Sequence, residues 1–242
     1  MPKILLTCEH GGNYILPAFQ CYFKGKENLL VSHEGYDIGA LELFETMQLA
    51  ADVSFYAKDS RLLVELNRSR HHPKLFSHIT QSLSEEEKNY LLKTVYYPYR
   101  EKVEQMVQDL IHAGRKVIHV SVHTFTPELH GKIRKTDIGL LYDPKRRTEQ
   151  EICKSWKASL KQVSPPLTVR YNYPYLGISD GFTSYLRRKF TDEQYAGIEL
   201  EVNQKFPLGN KGTWEKLKSI LKNTLIEATK PIMTDADLDI HS

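Results

Sequence analysis

The 242-residue chain is short of several things, and each shortage removes a class of protein. Its three cysteines, Cys8, Cys21 and Cys153, show no CxxC spacing, which excludes a disulfide framework and reads as reduced thiols in a cytoplasm. No apolar run approaches the roughly 20 residues that a membrane span needs. The first residues, Met1-Pro2-Lys3 before Ile4-Leu5-Leu6-Thr7, are too short and too quickly polar for a signal peptide. Charge of one sign is nearly balanced: 33 Lys and Arg against 30 Asp and Glu give a net +3, with no dense basic stripe for nucleic acid. Internal repeats and low-complexity tracts are absent. So are HExxH, GxSxG, the P-loop and GxGxxG, which removes the helix-borne metalloprotease, the nucleophile elbow and the common nucleotide sites.

What remains is an ordinary globular composition, 40% hydrophobic and 26% charged, expected to form a single domain over residues 1–230 with a loose acidic tail at 231–242. Strand and helix patterns alternate. Lys3 to Glu9 reads as a strand running into Gly11-Gly12, and Leu41 to Ala51 has helical spacing. Asp52–Ala57 and Arg61–Asn67 read as two strands around a tight connection. Ser84-Glu85-Glu86-Glu87 spells a capping box for a helix that ends at Gly114 and is interrupted at Pro98. Lys116 to Thr124 is a buried strand, and Ile138–Tyr142, Leu167–Tyr171 and Gly197–Val202 are further strands. Thr148-Glu149-Gln150-Glu151 repeats the capping-box spelling before a helix to about Gln162. Helices over Asp180–Phe190 and Trp214–Ala228 complete the pattern. Such alternation favours a mixed, mostly parallel sheet covered on both faces, with ligands outside the carboxyl ends of the strands.

Polar residues at strand ends are therefore the ones to read for chemistry. His10 follows Cys8-Glu9 and precedes two glycines that leave room around its imidazole. His123 ends an otherwise apolar strand. Glu199 and Glu201 fall on one strand face, where a buried carboxylate is costly unless paired or metal-bound. Asp37, in Ser32-His33-Glu34-Gly35-Tyr36-Asp37, lies just before a helix. Each has an ordinary structural explanation: a turn histidine, a satisfied core histidine, a wet edge strand, a helix cap. Arg61, Arg68 and Arg70 around one segment can be solvated or can form an anion site, since the guanidinium fork suits a carboxylate. Taken together, two histidines at different strand ends, an acid and a distant Glu match a hydrolytic zinc site with three protein ligands and one open position.

Six segments, in order, carry a family resemblance: Glu9-His10-Gly11-Gly12-Asn13, His33 to Ala40, Ser60 to Arg68, Ser121 to Phe125, Asp137 to Asp143 and Gly197 to Gln204. With them the chain resembles the N-formylglutamate amidohydrolase family over nearly its whole length. The resemblance implies a three-layer α/β/α fold of the zinc-carboxypeptidase (phosphorylase/hydrolase-like) kind. It also implies a cytoplasmic zinc-dependent amidase of histidine degradation that releases formate from N-formyl-L-glutamate, a small anionic substrate, with no nucleic-acid or membrane partner. By position, His10, Asp37 and His123 would be metal ligands, with Glu9 or Glu34 as alternatives to Asp37. Glu201 would be the general base, with Glu199 as its alternative. Arg61, Asn67 and Arg68 would face the substrate. Related zinc acylases carry a His-x-x-Glu pair in the first loop, where this chain has Asn13.

Overall fold

The apolar strands assemble side by side because the inner ones bury both faces. In a computed structural model that describes residues 1–238, with side chains described to Lys230, a six-stranded sheet runs in the order β2-β1-β3-β8-β6-β7. Its members are β1 (Lys3–Cys8), β2 (Val53–Tyr56), β3 (Val117–Phe125), β6 (Ile138–Leu141), β7 (Val169–Tyr171) and β8 (Tyr195–Asn203). All adjacent pairs are parallel except β6 with β8. A separate two-stranded hairpin joins β4 (Glu128–Leu129) to β5 (Lys132–Ile133). Two hydrophobic cores flank the sheet. One packs α3 (Ala40–Met47), α6 (Arg147–Val163) and α8 (Lys211–Leu238) on one face. The other packs α4 (Glu85–Leu91), α5 (Tyr97–His112) and α7 (Phe182–Lys189) on the opposite face. Short helices α1 (Gln20–Phe23) and α2 (Glu27–Leu30) cover the loop after β1. This is the expected α/β/α sandwich with a mixed, mostly parallel sheet.

The two faces of the central strands differ in chemistry. Leu6, Cys8, Ile118, Val120, Val122, Ile198 and Leu200 point into the first core, all fully buried. Each such aliphatic side chain contributes about 1.5–3 kcal/mol by leaving water. On the opposite face the same strands begin apolar, at Leu5, Val117 and Tyr195, and become polar towards their carboxyl ends. Thr7 Oγ1 and the Tyr195 hydroxyl hold His119 at 2.8 and 2.6 Å. Burial pushes that imidazole down to about 4, so it is a neutral core group. One step further along, the ladder reaches Ser121 and Glu199, then His123 and Glu201.

Local expectations meet the structure unevenly. The Ser84–Glu87 capping box forms in both directions. Around Pro98 the chain makes two helices joined by a π-helical turn at Leu92–Tyr96, as the missing amide demands. Gly114 takes the left-handed conformation after α5. Two readings are corrected. Arg61–Asn67 is not a strand but largely turns: Leu62, Leu63, Val64 and Leu66 all bury into the second core, and among the described residues no strand of the sheet pairs with the segment. The Thr148 capping box does not form: α6 is capped at Arg146 without a side-chain bond, and Glu149 is fully buried. The final helix continues through Leu238, so the segment expected as a loose tail begins inside it, and residues 239–242 lie outside the described residues.

Glu149 instead ties three elements together. It accepts from Arg187 Nε on α7 at 2.8 Å and from the backbone amides of Asp143 and Gly197, each at 2.8 Å. Arg187 also donates to the carbonyls of Gly177 and Gly197, each at 2.6 Å. Breaking a buried pair by removing one partner costs about 3–5 kcal/mol. Arg187→Met should therefore lower stability by about that amount, read as the shift of the urea midpoint at constant slope. An unchanged midpoint would mean that the carboxyl is neutral and satisfied by the amides alone.

Candidate metal centre

The strand order brings β1 and β3 together as parallel neighbours, so their carboxyl ends meet on one edge of the sheet. His10 follows β1, and His123 lies near the end of β3. The loop carrying Asp37 is laid across them, with its amide donating to the His10 carbonyl at 3.0 Å. His10 Nδ1 and His123 Nδ1 both face Asp37 Oδ2, at 3.3 and 2.9 Å. One nitrogen or oxygen from each of these buried residues lies within 4.8 Å of the others, a grouping that suits a metal ion. The Gly11-Gly12 pair does not open space around the imidazole, as the sequence reading had it. A Cβ at Gly11 would stand 2.8 Å from the Ala57 carbonyl, and one at Gly12 2.5 Å from that of Lys58. The glycines let the loop press against the chain that follows β2.

The outward-facing ring nitrogens are held by carboxylates. His10 Nε2 contacts Glu65, and His123 Nε2 lies 3.2 Å from Glu9 and 2.8 Å from the Ser121 hydroxyl. Glu9, fully buried, accepts from the Ser121 hydroxyl at 2.5 Å and from the Tyr99 hydroxyl at 3.1 Å. Metal-binding histidines characteristically donate their second N–H to such a partner, which sets the tautomer and ring orientation. The donor set and its backing therefore fit a divalent ion.

Electrostatics support the same reading. Burial opposes charge on Asp37, but His10, His123 and Arg61 outweigh it and hold the carboxyl far below its ordinary range. Glu65 is held down against burial by Arg61, His10 and Arg68. Glu9 is held down against burial by His123, His119 and Ser121. Burial disfavours charge on both histidines, and Arg61 also on His10, yet Glu65 and Asp37 raise His10. Asp37 and Glu9 raise His123 well above its ordinary value. Positive charge is thus stabilised where a cation would sit.

Asp37 is not the cap of α3: the N-cap is Gly39, and no side chain bonds there. Of the alternatives to Asp37, Glu9 lies behind His123 and Glu34 is exposed, lining a neighbouring cavity and not this one. Asn13 donates to the Leu30 carbonyl at 3.0 Å and holds the loop. Arg61 donates to Asp37 Oδ1 at 3.1 Å and to Glu65 Oε2 at 2.8 and 2.5 Å, so it neutralises the acids of the centre. Asn67 accepts the Phe182 amide at 2.6 Å and so fixes the start of α7. Arg68 Nη1 donates to the Asp180 carbonyl. All three line a cavity of about 410 Å3 together with His10, Asp37, His123 and Glu201. Sequence reasoning missed the part of Glu65, which a carboxylate inside Leu62-Leu63-Val64-Glu65-Leu66 could have signalled. It also missed Arg100, which stacks 4.2 Å from the Phe182 ring and donates to the Leu66 and Arg68 carbonyls at 2.8 and 3.3 Å. That contact holds the turn bearing Asn67 and Arg68.

Glu201 stands directly across from His123 in the β3–β8 register. Its other neighbour, Gly139, has no room for a side chain, since a Cβ there would lie 1.8 Å from the Tyr173 carbonyl. Glu201 Oε2 is buried with no hydrogen-bond partner among the described residues. Burial, reinforced by Asp37 and Glu199 and opposed by His123 and Arg61, pushes its carboxyl up to about 8. Glu199 is held instead by the Thr183 hydroxyl at 2.7 Å.

A carboxyl whose pKa rises on folding stabilises the fold below its unfolded value of 4.5, and that stability is lost as pH rises through about 8. In metal-free protein, Glu201→Gln should match the parent in melting temperature near pH 5 and exceed it near pH 9. Equal melting temperatures at both pH values would show that Glu201 ionises normally.

The chain matches the family model of N-formylglutamate amidohydrolase over residues 3–207. No curated protein matches it. Among solved structures, it is 25% identical to a gene product from Agrobacterium tumefaciens, at a TM-score of 0.82, covering 96% of this chain and 92% of that one. An N-formylglutamate amidohydrolase from Ralstonia eutropha JMP134 shares the fold at a TM-score of 0.71 and 14% identity, covering 97% of this chain and 95% of that one. With 205 consecutive residues under the family model, and with the strand-end residues of the resemblance gathered around one cavity, the chain belongs to the N-formylglutamate amidohydrolase family.

Proposed function

We propose that this protein is a zinc-dependent amidohydrolase that cleaves the formyl amide of N-formyl-L-glutamate to formate and glutamate. Family membership supports the hydrolysis of an amide. The observation that carries the mechanism is the buried Glu201 carboxyl, with one oxygen lacking a hydrogen-bond partner among the described residues, in the same cavity as the His10–Asp37–His123 cluster. Two imidazole nitrogens and one carboxylate oxygen are a donor set that zinc accepts with a position left open. A bound ion would supply Lewis-acid polarisation of the formyl carbonyl and a lowered pKa for water.

The side chains account for the rest. Glu65 and Glu9 keep His10 and His123 in the ligating orientation. Glu201 takes a proton from the attacking water, whose hydroxyl adds to the formyl carbon. It then delivers that proton to the glutamate nitrogen as the C–N bond breaks. Burial without a full set of partners raises the proton affinity of this carboxylate, which suits a group that must accept the water proton and then pass it on. Arg68, beside Asn67 in the cavity wall, meets a substrate carboxylate. Arg61, committed to Asp37 and Glu65, sets the charge of the centre.

Elemental analysis of protein purified without chelator should give about one zinc per chain. His10→Ala and His123→Ala should each lose it while circular dichroism stays native; full retention in both would remove the proposed ligands. Glu201→Gln should keep the metal and lower kcat for formate release by ~10²–10⁴-fold. Glu199→Gln should cost far less. The reverse ranking would make Glu199 the proton carrier.

A further inference from the structure

The wall made by Arg61, Glu65 and Lys74 has two sides. These three residues line the cavity described above and also a second one of about 490 Å3, bounded by the 33–34 segment and residues 73–81. The first cavity, at about 410 Å3, lies within the ~300–1,000 Å3 of a complete small-ligand site. A short substrate such as N-formylglutamate therefore leaves the second without a role.

The chemistry of the second cavity is uneven. Arg61 and Glu65 are bound to each other, and Ser77 donates its hydroxyl to the Leu62 carbonyl at 2.6 Å. Lys74 is different: among the described residues no carboxylate or carbonyl reaches its ammonium. The side chains of His33, His78 and Gln81 likewise make no hydrogen bond among the described residues. One ammonium, two imidazoles and an amide, all exposed, thus line the cavity with a single carboxylate that makes no bond among the described residues, Glu34. Phe76 and Pro73 add apolar surface. Such a set favours a carboxylate attached to a short aliphatic or peptide stem.

We propose that the second cavity extends the substrate site and receives a further carboxylate of a substrate longer than N-formylglutamate, with Lys74 as its cation. This rests on the reading of the first cavity as the hydrolytic site. The added carboxylate can stand on either side of the scissile amide. It can belong to the acyl group, as in N-succinylglutamate, or to a residue joined to the glutamate carboxyl, as in N-formylglutamylglutamate. The reaction is the same in both: water gives its hydroxyl to the acyl carbon and a proton to the amine nitrogen as the C–N bond breaks.

The test compares kcat/KM of the metal-loaded enzyme on N-formylglutamate, N-succinylglutamate and N-formylglutamylglutamate. His78→Trp fills the second cavity, and Gln81→Glu places a like charge in it; neither residue lines the first. At least one longer substrate should exceed N-formylglutamate by about tenfold, the size of one charge-assisted contact. Both variants should abolish that excess and leave N-formylglutamate within about twofold. Which longer substrate gains identifies the side of the extension. No gain for either, or a gain that survives both variants, overturns the proposal while turnover of N-formylglutamate stands. A gain without turnover of N-formylglutamate keeps the extension and overturns the short-substrate reading. Turnover of none of the three overturns both.

Discussion

The Asp37 carboxylate is the constraint on which the rest of the centre depends. It is buried, and a buried carboxylate is tolerated only when its charge is answered. One oxygen is shared between His10 and His123, and the other is met by Arg61. Those partners come from the end of β1, the end of β3 and the turn after β2. Satisfying one charge therefore requires three distant stretches of chain to arrive together. Arg61 in turn needs Glu65, which steadies His10, so the network closes on itself.

The sheet makes this convergence inexpensive. Its first-core face is aliphatic along the length of the central strands and supplies the hydrophobic driving force. The opposite face is free to change from apolar to polar along the chain, because successive side chains alternate. His119, Ser121 and His123 mark that gradient on one strand. The first is a neutral structural group, the second a bridge to Glu9, and the third a member of the candidate metal centre. Histidine alone does not distinguish these roles; position along the gradient does.

Carboxyl groups in the centre separate into two kinds. Asp37, Glu9 and Glu65 are each surrounded by cationic or donating partners and stay ionised despite burial. Glu201 lacks a partner for one oxygen and has Asp37 and Glu199 as acidic neighbours, which favours its protonated form. Groups of the same type with pKa values pushed apart are the usual basis for dividing proton-transfer and charge-stabilising roles. Here the separation of the pKa values follows from burial and neighbours.

The sequence by itself determined the layered α/β class, most element positions, and the candidates His10, Asp37, His123 and Glu201. The class and the elements were legible because period-2 alternation and capping spellings are local signals, and His10, His123 and the Glu199–Glu201 pair because they are polar residues at strand ends; the choice of Asp37 and of Glu201 came from the family resemblance. It did not determine the Arg61–Asn67 segment, where buried leucines and valine imitate a strand but serve a turn packed into the core. Nor did it reveal that Glu149 pairs with Arg187 instead of capping a helix, or that Glu65 and Glu9 brace the histidines. Those outcomes depend on which carboxylate meets which cation across tens of residues. Only the tertiary structure decides that, because the energy of a buried charge is set by neighbours that sequence spacing does not specify.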